Sequence, residues 1–239
     1  MSLLTLLSLL GAVPRAGAGS RYGEILCTQK GYECLEVDAG DTWEILWPDD
    51  YERDLVRRAN RMNVKLRPGM ILAVPKKLER ATVMSVSPFP KKRDTDGEKL
   101  VVVDLSQLAW GAYDEDGKLV FWGPASGGKN WCPDVRSRCR SPDGEFSALS
   151  KGGRKCKSGK FPIGKGGAPM PYCMFFRRGY ALHGSPEVPG YNASHGCVRL
   201  FTEDALWLNE FFVETPSKEN DFHGTRVLVL PYEDAIPIP

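Results

Sequence analysis

Histidine is the scarcest chemically useful residue in this chain, with 3 among 239 residues. A site built from many imidazoles is excluded, so the position of each histidine carries weight. An excess of one charge is missing as well. The 32 basic and 30 acidic residues leave a net charge of +2, which gives no argument for a nucleic-acid partner. No two cysteines have C-x2-C spacing, so a structural zinc site is not indicated. No internal repeat is visible. The apolar start, Met1 to Val13, is too short to span a bilayer. Gly153 to Phe161 is rich in glycine and lysine but lacks P-loop spacing. Its Gly159-Lys160 pair runs into Phe161 and not into Ser or Thr, so no phosphate cradle is read there. What remains is ordinary for a globular protein, at 42% hydrophobic and 26% charged residues. The length suits one large or two modest domains.

Against that background one stretch stands out. Ser194-His195-Gly196-Cys197-Val198-Arg199 places a cysteine in a glycine-bearing turn beside a histidine. A second histidine lies upstream in Ala181-Leu182-His183-Gly184-Ser185-Pro186. A cysteine nucleophile needs a base to ionise it and backbone N–H groups to hold an oxyanion. The stretch offers both. Two of the 3 histidines lie within 14 residues upstream of this cysteine, which argues against a merely structural thiol.

His183 and Ser194-His195-Gly196-Cys197 together resemble the signature of the L,D-transpeptidase (YkuD-type) catalytic domain, a family of cell-wall enzymes. Ser141-Pro142-Asp143-Gly144-Glu145-Phe146, Pro169-Met170-Pro171-Tyr172-Cys173-Met174 and Gly224-Thr225-Arg226-Val227-Leu228-Val229 match further segments of it. The match runs over about residues 98–231. The 10 residues between His183 and Ser194 form a shorter loop than is usual in the family, and Arg199 stands where many members carry Asn.

The resemblance implies Cys197 as nucleophile, His183 as its base, and the Gly184 carbonyl as the partner of the other imidazole nitrogen. The N–H groups of His195, Gly196 and Cys197 are the expected oxyanion hole, and Gly196 lets the backbone approach closely. His195 is a candidate either to tune the thiol or to hold the turn. Tyr172, Arg199 and Ser194 are the expected substrate-binding residues. Arg199 suits a substrate carboxylate or a structural ion pair equally. The reaction implied is acyl transfer from a peptidoglycan tetrapeptide stem through a Cys197 thioester. The acceptor is an amine of a second stem, giving a 3→3 crosslink, an envelope-lipoprotein lysine, or water. No metal and no organic cofactor is expected.

Two other functions fit parts of the sequence. A zinc-dependent wall peptidase would use His183, His195 and Cys197 as ligands. A non-catalytic wall-binding or host-contact protein would use only the N-terminal region.

Ala16-Gly17-Ala18 is a small-x-small pattern after the apolar start, so residues 1–19 are expected to be a signal peptide. Export places the protein in the periplasm or cell envelope. The 7 cysteines then suggest three disulfides and one free thiol, Cys197, because a nucleophile must stay reduced. Locality favours Cys27–Cys34, Cys132–Cys139 and Cys156–Cys173 among the pairings that six cysteines allow.

Residues 27–77 read as a small separate module. A strand runs into Gly40-Asp41-Thr42, with Asp41 or Thr42 suited to cap a helix. A second helix is expected near Tyr51 to Met62, with Leu55, Val56 and Ala59 apolar. A Pro68-Gly69 turn then leads into a strand at Ile71 to Pro75. This β-α-α-β pattern resembles a LysM domain, which implies glycan strands as a partner. As a separate unit, it is expected to be removable without loss of chemistry on soluble wall fragments. Residues 78–97 are expected to be an extended, solvated linker. The region 98–231 shows frequent short strands and one helix from Thr202, the residue expected to cap it, to about Phe212. That pattern predicts a mainly β, sandwich-like domain. Lys151 to Lys165 carries six basic residues and no acidic one, as a solvated loop or as a surface for an anionic substrate.

Overall fold

The computed structural model of the chain describes residues 22–232, so the expected signal segment lies outside the described residues. A short helix, Tyr22–Leu26 (α1), comes first. Strand Tyr32–Glu36 (β1), helices Trp43–Leu46 (α2) and Asp50–Ala59 (α3), and strand Ile71–Pro75 (β2) follow. β1 and β2 pair antiparallel from Tyr32↔Pro75 to Glu36↔Ile71. The element order is the β-α-α-β order read from the sequence. The Thr42 hydroxyl caps α2 by accepting Ile45 N–H at 3.2 Å. Asp49 caps α3 by accepting Tyr51 N–H at 3.0 Å and Glu52 N–H at 2.9 Å. α3 stops at Ala59, earlier than periodicity predicts, because Arg61 takes a left-handed φ of 54°.

α3 is buried on two sides. Val56 packs with Val37, Trp43 and Leu72 inside the small unit. Leu55 packs with Val102 and Trp122 of the large one. The small unit is therefore not a free module. Arg58, 4% exposed, makes a bidentate pair with Asp204, at 3.0 Å and 2.7 Å, and donates to Trp122 O at 3.1 Å. The Arg61 guanidinium lies 4.7 Å from both the Tyr22 and the Trp122 rings.

The segment 78–97 also differs from expectation. It is strapped along the large domain and not extended into solvent. Trp122 Nε1–H donates to Val83 O at 2.6 Å, and Tyr113 O–H donates to Pro90 O at 2.9 Å. Leu119 N–H reaches Lys91 O at 3.0 Å, and Arg93 N–H reaches Gly117 O at 2.8 Å. A buried indole and phenol need acceptors, and the strap supplies them.

The large domain contains Leu100–Asp104 (β3), Ala109–Tyr113 (β4), Leu119–Ser126 (β5), Gly144–Ser147 (β6) and Ser150–Lys151 (β7). Met174–Arg177 (β8), Tyr180–Gly184 (β9), Val198–Leu200 (β10), helix Thr202–Trp207 (α4) and Arg226–Val229 (β11) complete it. All nine strands join one mixed sheet in the order β6-β11-β3-β4-β5-β10-β9-β8-β7. The expected two-layer sandwich is thus a single curled sheet. The long β5 explains this. It pairs with β4 over Leu119 to Pro124, then with β10 at Ala125 and Ser126, so the sheet never breaks. The curl brings β6 and β8, far apart in strand order, together, with the Phe146 and Phe176 rings 5.3 Å apart. Val103 and Trp110 from one half, and Met174 and Leu182 from the other, share one core with Leu208.

Thr202 does not cap its helix. The cap position is Phe201, and Thr202 is the first helical residue. Its Cα is drawn against Gly184, where an added Cβ would come within 2.9 Å. A π-helical turn, Leu208–Phe212, continues α4. Disulfides join Cys27 to Cys34, Cys132 to Cys139 and Cys156 to Cys173, the pairs that locality favours, and Cys197 is free.

Candidate active site

β9 and β10 run parallel with Leu182↔Val198, His183↔Arg199 and Gly184↔Leu200 in register. One step further back, Cys197 stands beside Ala181. Side chains alternate along a strand, so Ala181, His183, Cys197 and Arg199 share one face. His183 and Cys197 are diagonal neighbours on this face.

His183 is 6% exposed. Its Nδ1 lies 2.9 Å from Gly184 O. A carbonyl only accepts, so Nδ1 carries the hydrogen and Nε2 is left as an acceptor. Burial pushes the imidazole pKa down to about 4, the Gly184 bond opposes this, and the Arg199 charge adds to it. The ring is neutral near pH 7 and able to take a proton.

Cys197 packs against Met170, Cys173 and Ala181. Burial pushes its thiol pKa up, and the Ala181 backbone and the Arg199 charge offset this only in part. The resting group is a thiol. Its Sγ lies 3.7 Å from Gly179 O, and among the described residues it makes no hydrogen bond to His183.

The turn before Cys197 is tightly specified. Gly196 has a φ of 122°, and a Cβ there would stand 2.6 Å from Tyr180 Cε1. Glycine is required. Ser194, expected to bind substrate, is 2% exposed. Its hydroxyl accepts Gly196 N–H at 3.0 Å and donates to Cys197 O. Its backbone pairs with Gly127 and Lys129. The Gly196 amide is thereby spent inside the turn. Of the three amides expected to form an oxyanion hole, this one is engaged by Ser194.

His195 turns to Asp134, with Nε2 at 2.8 Å and 3.0 Å from the two carboxylate oxygens. The His195 hydrogen bond holds the Asp134 carboxyl below its usual range. The imidazole also lies against Phe161, with ring centroids 4.6 Å apart and the planes tilted by 39°. Among the described residues, His183, His195 and Cys197, the ligands of the alternative zinc reading, do not form a group with ligand atoms within 4.8 Å of one another. Among the described residues, the metal-capable group with ligand atoms within 4.8 Å of one another is Cys132, Asp134 and His195. The Cys132 sulfur is committed to Cys139.

Arg199 is held within the chain. Its Nη1 donates to Glu187 O at 3.2 Å and lies 3.6 Å from a Glu187 carboxylate oxygen. Tyr172, at a positive φ of 56°, donates its N–H to Gly153 O at 3.1 Å. Its neighbour Pro171 accepts Gly184 N–H at 2.8 Å, so this segment leans on the His183 strand.

The basic run forms a flap, tied by Cys156–Cys173 and a Lys157↔Pro169 bridge. Lys151 is anchored, its Nζ donating to Asn209 O at 2.6 Å and Val213 O at 2.8 Å. Arg154, Lys155, Lys157, Lys160 and Lys165 are exposed.

Sequence reading missed Asp134, Phe161 and Glu187. The cysteine spacing around Asp134 was the one available signal, since a short disulfide loop beside the site fixes whatever it carries.

The model of the YkuD family, the L,D-transpeptidase catalytic domain, matches residues 98–229. The chain is similar to the crystal structure of an L,D-transpeptidase from Xylanimonas cellulosilytica, at 25% identity and a TM-score of 0.51, over 74% of this chain and 77% of that one. It is also similar to an L,D-transpeptidase from Stackebrandtia nassauensis, at 22% identity and a TM-score of 0.46, over 63% of each chain. An Enterococcus faecium L,D-transpeptidase matches at 25% identity and a TM-score of 0.43, over 56% of this chain and 50% of that one. A comparison with curated proteins gave no match.

Proposed function

The chain belongs to the YkuD family of L,D-transpeptidase catalytic domains, which makes it an enzyme, and we propose that it transfers peptidoglycan stem peptides through a Cys197 thioester. The observation that carries this is His183. It is buried and neutral, its Nδ1–H is fixed on Gly184 O, and it is diagonal to the one free cysteine among the described residues. Its Nε2 takes the thiol proton as sulfur attacks the carbonyl after the third residue of a tetrapeptide stem. The amides of His195 and Cys197 hold the oxyanion. The tetrahedral species collapses, the C–N bond breaks, and D-alanine leaves with the proton from His183. An amine of a second stem, a lipoprotein lysine or water then attacks the thioester. It gives its proton to His183, and the thiol is restored.

Residues 27–77 are the proposed glycan-binding part, on their LysM-like element order, and would raise the local concentration of stems. Three disulfides favour an exported, periplasmic or envelope enzyme. Among the described residues no helix is long and apolar enough to cross a membrane.

The test is incubation with purified muropeptides followed by mass analysis. D-alanine release with a crosslinked or hydrolysed product is expected from the wild type and not from Cys197→Ala. A carbapenem, as a strained acyl donor, should add to the wild type only. Turnover by Cys197→Ala would overturn the assignment.

A further inference from the structure

The loop between His183 and Cys197 is braced from outside the large sheet. After α3 ends, the chain crosses to this loop. Met62 and Pro189 form an isolated antiparallel bridge. Asn63 N–H donates to Val188 O at 2.9 Å. Its side chain completes the pairing. Val188 N–H donates to Asn63 Oδ1 at 2.8 Å, and Asn63 Nδ2 donates to Ser185 O at 2.9 Å. Tyr22 N–H adds a bond to Gly190 O at 3.0 Å. One residue therefore satisfies three backbone groups of the loop. Val188 is fully buried and Ser185 nearly so, so these groups have little water to replace a lost partner.

The opposite side of the same loop touches the site. Ser185 N–H donates to Leu200 O of β10 at 2.9 Å. Glu187 holds Arg199 through its carbonyl and its carboxylate. Arg199 is in register with His183 and shares a strand face with Cys197. Its charge acts on both groups. A connected path of direct contacts thus runs from Asn63 through Ser185–Val188 and Glu187 to Arg199, between base and nucleophile.

We infer that Asn63 is a positioning residue for the reaction, fixing the Ser185–Val188 turn and, through Glu187 and Arg199, the relative placement of His183 and Cys197. The inference rests on reading those two as base and nucleophile. It makes residues 22–77 part of the working site, against the expectation of a removable module. The side-chain chemistry is specific. A planar amide supplies one donor and one acceptor at this reach. Aspartate keeps only the acceptor, and alanine keeps neither.

The test uses the full chain with Asn63→Ala and Asn63→Asp. Two quantities are read: kcat and KM on a tetrapeptide muropeptide, and the pH dependence of Cys197 alkylation by iodoacetamide. Asn63→Ala should lower kcat by about ten- to a hundredfold, the scale of a small misplacement of reacting groups, with a smaller change in KM. Its alkylation profile should shift along the pH axis. Asn63→Asp should fall between it and the wild type. Wild-type kcat and an unshifted profile in a folded Asn63→Ala would overturn the proposal. Should Asn63→Ala not fold, Asn63→Asp decides by the same two readouts. A wild type without turnover would instead sink the transpeptidase reading, while the alkylation profile would still report whether Asn63 acts on the thiol.

Discussion

His195 Nε2 faces both carboxylate oxygens of Asp134, at 2.8 Å and 3.0 Å, and Asp134 sits within the loop closed by Cys132 and Cys139. The imidazole beside the nucleophile is thus oriented by a covalently closed loop. Asp134→Asn keeps the shape and removes the charge. It should lower kcat/KM on the order of tenfold, one charge-assisted hydrogen bond's worth. The His195 hydrogen bond holds the Asp134 carboxyl below its usual range, so the carboxylate is present at neutral pH. A steady-state comparison near neutral pH checks this, and equal rates would show that the pair is ornamental to catalysis.

His183→Ala should damage catalysis more than His195→Ala. The first removes the proton acceptor, which typically costs about 10²–10⁴ in rate. The second keeps the backbone amide assigned to the oxyanion and loses only the ring. Both variants need a circular-dichroism check, then kcat/KM against pH. A folded His195→Ala that is the more crippled of the two reverses the division of roles.

The buried His183 has a stability signature. Its folded pKa of about 4 lies below the ordinary value of 6.5. Between these values the unfolded chain binds more protons, so folding stability rises with pH through this window and is lost as pH falls through it. Relative to His183→Asn, the wild type should gain up to about 3 kcal/mol from pH 4 to pH 6.5. Burial lifts the Asp204 carboxyl from 3.8 to about 6, and its contribution has the opposite sign, falling as pH rises between those values. Asp204 is present in both proteins, so its effect cancels in the difference. Urea unfolding at several pH values gives the slope, and a flat difference would refute the shifted imidazole.

Arg58→Met strands Asp204, which is 1% exposed, without its partner. The expected loss is about 3–5 kcal/mol at neutral pH. Arg58→Met with Asp204→Leu should recover most of it, because an apolar pair carries no buried charge. If the single and double variants were equally unstable in urea, the pair would not be what joins α3 to α4.

Much of this arrangement is legible in the residues. Leu100-Val101-Val102-Val103 reads as a buried strand and is one. The Pro68-Gly69 turn and the Thr42 cap are local chemistry, and local chemistry is what sequence carries best. Cys197 and His183 are conspicuous because both residue types are rare and close in sequence. What escaped were long-range partners. Asn63 meets Val188 across 125 residues, and nothing in an isolated Asn announces that. The bonds that Ser194 makes within its own turn, to Gly196 N–H and Cys197 O, are likewise not announced by its hydroxyl. The strap 78–97 looked solvated from its charges, but its carbonyls, which composition does not report, answer Trp122 and Tyr113.

The parallel pairing of β9 with β10 has a consequence for how this enzyme can change. The chain leaving His183 must travel back along the sheet before it can present Cys197, and it does so in one short return path. One seat of the N-terminal unit is that return path, at Val188 and Pro189. Loop length and seating are therefore one variable. Residues inserted at 186–190 would move this seat away from Asn63, even with every catalytic side chain intact. A segment that looks like a permissive place for insertion is the hinge on which two folded units agree.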